Sequence, residues 1–240
     1  MFISPVQTYN PAYRGNNREV FNKSGKFLYK TTTYFFREDL NWTCLAELLG
    51  EKYKTVQKVN VLNHACSNGQ EPYTLAVKLI QILGKEAKKF FPIQAKDIDF
   101  DNIESANRGR LGIKLNEMYR INHYTKNQLT SFTLGKPANP NNDLVLIPKE
   151  NIKSKVNFSQ ADILKDTSEK LPDNTVILCR NFWPYLTQAE REQLASNLYQ
   201  NIGDNSLIIT GDFDYRSNTP DLLKSRGFVE IGMNNVYIKR

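Results

Sequence analysis

Apolar and polar positions along the chain fall into two alternating rhythms. From about residue 40, runs of four or five apolar residues separate stretches with helical spacing. Leu40–Lys52 sets Leu45, Leu48 and Leu49 on one side and predicts an amphipathic helix. Val59–Leu62 predicts a strand. Pro72 to Gly84 predicts a helix, with proline in its first turn and glycine just past its end. Pro92–Lys96 reads as the next strand, entering Asp97, and Asp101–Arg108 as a helix that Gly109 ends.

Gly112 to Asn151 interrupts this alternation. A helix is expected through Asn116–Tyr119. Thr130–Leu134 and Leu144–Ile147 then flank the turn-rich Gly135–Asp143 as a hairpin would. We read 112–151 as a small β-rich insertion. Alternation resumes with Lys155–Ser159 and Thr175–Cys179 as strands. Thr187 followed by Glu190 makes a capping box for a helix ending near Gly203. Leu207–Thr210 is a strand, and Thr219-Pro220 starts a short helix that Gly227 ends. Phe228–Ile231 and Val236–Lys239 close the chain as paired strands. The whole is a doubly wound α/β order, with the methyltransferase-like ending of two paired strands.

At 240 residues the chain suits one such domain with an embellishment. No apolar run is long enough to span a membrane, and the first residues lack a secretion signal's layout, so a cytoplasmic protein without membrane insertion is expected. Three scattered cysteines and two histidines make neither a disulfide framework nor a metal set, so no metal is expected. The net charge of +7 is uneven. Arg14, Arg18, Lys23, Lys26, Lys30 and Arg37 stand against Glu19 alone, a balance of +5 over residues 1–37. Such an arm suits an acidic protein surface or nucleic acid, or is simply a solvated terminus.

Several motifs fall where the strands end, the edge at which open α/β sheets bind ligands. After the first strand comes Ala65-Cys66-Ser67-Asn68-Gly69-Gln70-Glu71-Pro72-Tyr73, and after the second Asp97-Ile98-Asp99. After the third comes Ala161-Asp162-Ile163, and after the fourth Cys179-Arg180-Asn181. Upstream stands Thr31-Thr32-Thr33-Tyr34-Phe35-Phe36-Arg37-Glu38. A strand, a small-residue turn and a helix start suit a nucleotide-like ligand, yet a dinucleotide fingerprint needs three spaced glycines and this turn has one.

In order and spacing these motifs resemble the CheR-type methyltransferases, the S-adenosylmethionine enzymes that methylate glutamates on bacterial chemotaxis receptors. The resemblance runs from about residue 30 to about residue 215. It implies a mostly parallel seven-stranded sheet of the SAM-dependent methyltransferase (Rossmann-like) type, with the β-rich insertion as a subdomain. It also implies S-adenosylmethionine as cofactor and S-adenosylhomocysteine as product. Such a sulfonium ligand carries no pyrophosphate, and Ala65, Ser67 and Gly69 would let the backbone approach it closely.

By the same resemblance, Glu71 contacts the cofactor and Asp97 takes both ribose hydroxyls. Asp162 and Ile163 stand where an asparagine-hydrophobic pair brackets adenine. Arg180 and Asn181 hold the methionine part, while Thr31, Thr33 and Arg37 belong to the cofactor-side motif. Tyr185 would lie beside the transferred methyl, and Arg37 would grip the acceptor carboxylate with its planar fork. Arg37 and Tyr185 are therefore the catalytic candidates. Asp99 and Asp101 sit at helix-capping positions. The partner implied is a protein substrate, an acidic or receptor-like helix.

Two departures narrow the resemblance. The family's helical module before the Phe-Phe-Arg motif has no counterpart in the thirty or so residues preceding it here, and its Gly-His-Ser-Glu is Gly211-Asp212-Phe213-Asp214. Two other readings stay open. Asn181-Phe182-Trp183-Pro184-Tyr185 superficially resembles the motif of nucleic-acid amino-methyltransferases, but its tyrosine is one residue too far and only one proline is present. A non-catalytic SAM-binding regulator is the third reading. Oligomeric state is not legible.

Overall fold

The computed structural model describes residues 17–21, 27–125, 130–137 and 142–240. Strands β1 (Asn17–Phe21) and β2 (Phe27–Thr32) form an antiparallel pair of their own, with Asn17 opposite Thr32. This pair lies inside the segment expected as a basic arm. Arg14, Lys23 and Lys26 lie outside the described residues, as do the side chains of Arg18 and Thr31. Next come α1 (Trp42–Lys52), β3 (Asn60–His64), α2 (Gln70–Leu83), β4 (Ile93–Asp97) and α3 (Phe100–Arg108). The insertion holds β5 (Leu111–Ile113), α4 (Leu115–Tyr124), β6 (Phe132–Gly135) and β7 (Leu144–Pro148), its strands in the order β5-β7-β6. The chain ends with α5 (Glu150–Lys153), β8 (Val156–Gln160), α6 (Ile163–Asp166), β9 (Thr175–Cys179), α7 (Gln188–Asn201), β10 (Leu207–Ile209), α8 (Thr219–Ser225), β11 (Phe228–Glu230) and β12 (Val236–Lys239).

The main sheet has seven strands in the order β11-β12-β10-β9-β3-β4-β8. Pairing is parallel from β10 across to β8, and β12 runs antiparallel between β10 and β11. The expected mostly parallel, doubly wound sheet is therefore the observed one. From β3 the chain builds outward through β4 to β8, then returns to β3's other side with β9. The strand order thus reverses between β3 and β9.

Burial explains why the central strands read as unbroken apolar runs. Thr175 through Cys179 are buried on both faces. Val176 and Leu178 face one core with Leu45, Leu49, Leu75 and Leu79 of α1 and α2. Ile177 and Cys179 face the other with Leu194, Leu198 and Leu223 of α7 and α8. Each fully buried leucine contributes about 1.5–3 kcal/mol relative to exposure. No helix among the described residues is long and apolar enough to cross a membrane.

Candidate functional site

In open α/β sheets the crevice lies where strand order reverses, beyond the carboxyl ends. Here His64 and Cys179, the last residues of β3 and β9, are direct neighbours in register. The turns that follow them must diverge from one point, bringing Ala65–Glu71 and Arg180–Tyr185 to a shared mouth.

The first turn is held in an unusual backbone path. Ala65, Ser67 and Gly69 have φ of 55°, 50° and 97°, all left-handed. That region costs a residue with a side chain about 1–2 kcal/mol, so the surroundings must impose it. Asp97 supplies part of that constraint from the end of β4. Its Oδ2 accepts the Ser67 N–H at 2.7 Å, and its Oδ1 accepts the Asp99 N–H at 2.9 Å and the Asn102 amide at 3.3 Å. Gly69 is needed on a second count, because a Cβ there would lie 2.9 Å from Phe158 Cζ.

Arg180 is fully buried and ties the fourth turn to the first. One guanidinium nitrogen bonds Glu71 and the other donates to Asp39 Oδ1 at 2.6 Å. Its plane lies 5.0 Å from the centre of the Trp42 ring. Burial alone would lower the Arg180 pKa, but the Glu71 and Asp39 carboxylates outweigh it and hold it above its ordinary value. Glu71 also accepts from Asn63 at 2.8 Å. On the far side, Asp39 Oδ2 lies 3.4 Å from Arg37 Nε, and Arg37 packs 5.2 Å over the Tyr34 ring. Arg37, Asp39, Arg180 and Glu71 thus form one line of alternating charge. Glu71, expected from the sequence to meet a ligand, is first of all the partner of Arg180.

Asn181 is left-handed at φ 62°, and Asp214 holds it there. The buried Asp214 carboxylate accepts backbone N–H groups from Asn181 and Gly211 at 2.8 Å each, and from Trp183 at 3.1 Å. Burial pushes its pKa up to about 7 against the pull of those donors and of Arg180. Tyr185 packs 5.5 Å from Phe213, with Phe27 and Tyr29 of the first hairpin at 6.2 and 6.4 Å.

The remaining expected residues are placed as follows. Thr33 is buried beside Phe35 and Phe36, while Thr31 is placed only by its backbone in β2 and its side chain lies outside the described residues. The Ala161 N–H donates to the Asp97 carbonyl at 3.0 Å and so seats Asp162 beside the second strand's end. Asp162 caps α6, accepting from Leu164 at 3.0 Å, and Ile163 packs partly against the second core. Asp99 caps α3, accepting from Asp101 at 2.9 Å. Cys66 and Cys179 are buried, their thiols pushed up by burial, and serve as packing residues. His64 is buried with its pKa lowered to about 4 by burial, 3.6 Å from Asp166 on the opposite face of the sheet from Asn63.

Sequence reasoning did not single out Asn63 or Asp39, and met Asp214 only within Gly211-Asp212-Phe213-Asp214, as a departure from the family's pattern. Asn63 had a usable signal: a polar residue inside an apolar strand run needs a partner. Asp39 and Asp214 become meaningful only once the fold brings them beside Arg180 and Asn181.

This donor set fits a nucleoside amino acid rather than a polyphosphate. Glu71 and Asp97 place two carboxylates around the turn after β3, an arrangement that disfavours a polyphosphate and suits hydroxyls or an ammonium group. Two buried polar atoms at the mouth, Ser67 Oγ and Asn181 Nδ2, have no partner among the described residues. A ligand with hydroxyls and a carboxylate would satisfy both.

Comparison with known proteins agrees with this chemistry. Residues 31–228 match the family model described as CheR methyltransferase, SAM binding domain. Chemotaxis protein methyltransferases of Salmonella typhimurium and Escherichia coli are 26% and 25% identical, each over 81% of this chain. The chain spans 64% of the length of each of these relatives. Pseudomonas aeruginosa chemotaxis protein methyltransferase 2 is 24% identical over 81% of this chain and 67% of its own length. Among solved structures, a TehB-like SAM-dependent methyltransferase from Corynebacterium glutamicum is similar with a TM-score of 0.45 and 12% identity, over 84% of this chain and 89% of that one.

Proposed function

The chain belongs to the CheR methyltransferase family, and from that premise we propose that it moves a methyl group from S-adenosylmethionine to a glutamate carboxylate of a protein substrate. What supports this reading is a chain of contacts at the carboxyl ends of the strands: Asp97 bonds the turn that leads to Glu71, and Glu71 joins Arg37 through Arg180 and Asp39. We take the reaction to be cytoplasmic and the acceptor to be a helix of a receptor-like protein.

S-adenosylmethionine supplies, when bound, an electrophilic methyl group on a sulfonium and leaves as the thioether S-adenosylhomocysteine. The residues that would hold it are Asp97 for the ribose hydroxyls, Asp162 and Ile163 for the base, and Glu71 and Asn181 for the amino-acid end. Arg180 acts behind them as a positioning residue, since its buried fork is occupied by Glu71 and Asp39.

An acceptor glutamate is already ionised near neutral pH, so the reaction needs no general base. What it needs is alignment and partial loss of water from the carboxylate. Arg37 would fix the acceptor's direction, held ready by Asp39 and Tyr34. Tyr185 is half-buried among Phe27, Tyr29 and Phe213, and burial raises its pKa, so its hydroxyl stays neutral and able to donate.

The test is transfer of radiolabelled methyl from S-adenosylmethionine to whole bacterial lysate. A glutamate methyl ester hydrolyses in mild base and releases the label as volatile methanol. Base-stable label on protein, or label in RNA or DNA, would overturn the acceptor class. Absence of both transfer and S-adenosylhomocysteine binding would overturn the whole reading.

A further inference from the structure

We propose that the β1–β2 hairpin is the acceptor-side wall of this site, with Tyr29 the positioning residue that couples it to the cofactor loop. The inference rests on the function proposed above. Among the described residues the hairpin shares no strand pairing with the main sheet, and side-chain contacts tie it to the rest of the fold. Two of these contacts fall on opposite sides of the crevice.

The first contact reaches the loop after β4. Tyr29 Oη donates to Asp99 Oδ2 at 3.1 Å, and Asp99 is two residues from Asp97. The Asp99 N–H in turn donates to Asp97 Oδ1, so Tyr29 is one residue removed from the carboxylate assigned to the ribose. The second contact reaches the turn after β9. The Tyr29 ring lies 6.4 Å from Tyr185, and Phe27 meets the same ring edge-on at 6.2 Å.

One strand therefore bridges the residues proposed for the cofactor and those proposed for the acceptor. Phe21 at the end of β1 and Phe27 at the start of β2, 5.8 Å apart and 41% and 44% exposed, make an apolar rim at one end of the hairpin. Such a rim removes water from an arriving carboxylate while Arg37 supplies the compensating charge. A ligand that stiffens the Asp97–Asp99 loop must also steady the hairpin, and linkage makes the effect reciprocal. The acceptor class selected is a carboxylate side chain flanked by apolar residues.

The test uses the full chain, S-adenosylhomocysteine as probe, calorimetry and limited trypsin digestion read at Lys30. Saturating probe should slow cleavage after Lys30 by about fivefold or more, the lower end of ordinary coupling. Tyr29→Phe keeps the ring contacts and removes the tie to Asp99. It should bind the probe about 3- to 10-fold more weakly and lose the protection of Lys30. If the wild-type protein binds the probe and Lys30 is cleaved as before, or if Tyr29→Phe matches wild type in both measurements, this inference falls and the proposed function stands. No binding of the probe to the wild-type protein overturns both.

Discussion

The Asp214 carboxylate accepts the backbone N–H of Asn181 at 2.8 Å and so fixes the left-handed residue at the mouth of the fourth strand. It is a buried brace rather than a surface acid. Asp214→Ala would leave three backbone donors, at Asn181, Trp183 and Gly211, without an acceptor. The expected cost is about 2–4 kcal/mol in urea unfolding, since each unmade buried bond costs about 1–3 kcal/mol and the loop can relax. Calorimetry should show S-adenosylhomocysteine binding weakened alongside.

The same residue predicts a pH dependence. Burial raises the Asp214 pKa from 3.8 to about 7 in the folded protein. A carboxyl with a raised folded pKa binds its proton more tightly in the native than in the unfolded state. Its contribution to stability is therefore present below pH 4 and lost as pH rises to about 7. The stability of wild type relative to Asp214→Asn, which does not titrate, should fall across that window and level off above it. Chemical denaturation at several pH values measures this. A constant difference would show that the three backbone donors hold the carboxyl near its ordinary value.

Much of the fold was legible in the sequence because burial writes itself as periodicity. Thr175–Cys179 reads as a strand buried on both faces, and Thr187 with Glu190 announces the start of α7. The β1–β2 hairpin was not legible: its aromatic residues are interrupted by charged ones, and its contacts are with Asp99 and Tyr185, distant in sequence. Strand β5 is three residues long, too short for a period to show. The candidate site was legible as motifs at strand ends, but not as a network. That Arg180 spends its fork on Glu71 and Asp39 follows only from where the fold puts Asp39.

Arg180 supplies a sharp stability test. Its charge is buried between two carboxylates, so Arg180→Met leaves Glu71 without its cation and Asp39 with Arg37 alone. Breaking a buried ion pair from one side costs about 3–5 kcal/mol. Arg180→Lys keeps the charge but cannot fork to both acids, and it should fall between wild type and Arg180→Met in thermal unfolding. Equal stability of all three proteins would contradict a structural role for the buried cation.

Asp97 separates bracing from ligand contact. Asp97→Asn keeps one oxygen acceptor for the turn and removes the charge that would accept two ribose hydroxyls. S-adenosylhomocysteine binding should weaken by about 1–3 kcal/mol, while unfolding shifts by less. A loss of stability as large as the loss of affinity would mean that Asp97 acts mainly by bonding Ser67 and Asp99.

Arg37 and Tyr185 should behave in the opposite manner, because their proposed partners are the acceptor and the transition state. Arg37→Ala removes the fork, yet Arg37 is paired with Asp39 and Tyr34 and makes no bond to Asp97 or Asn181. Tyr185→Phe removes one hydroxyl and leaves the packing against Phe27, Tyr29 and Phe213 in place. Both variants should keep S-adenosylhomocysteine affinity within about threefold of wild type and lower methyl transfer by tenfold or more, the pattern of interactions made chiefly in the transition state. For Arg37→Ala the KM for the acceptor should also rise, since the fork meets the carboxylate before reaction. Wild-type turnover in both variants would leave the cofactor site as proposed and remove these two residues from the chemistry.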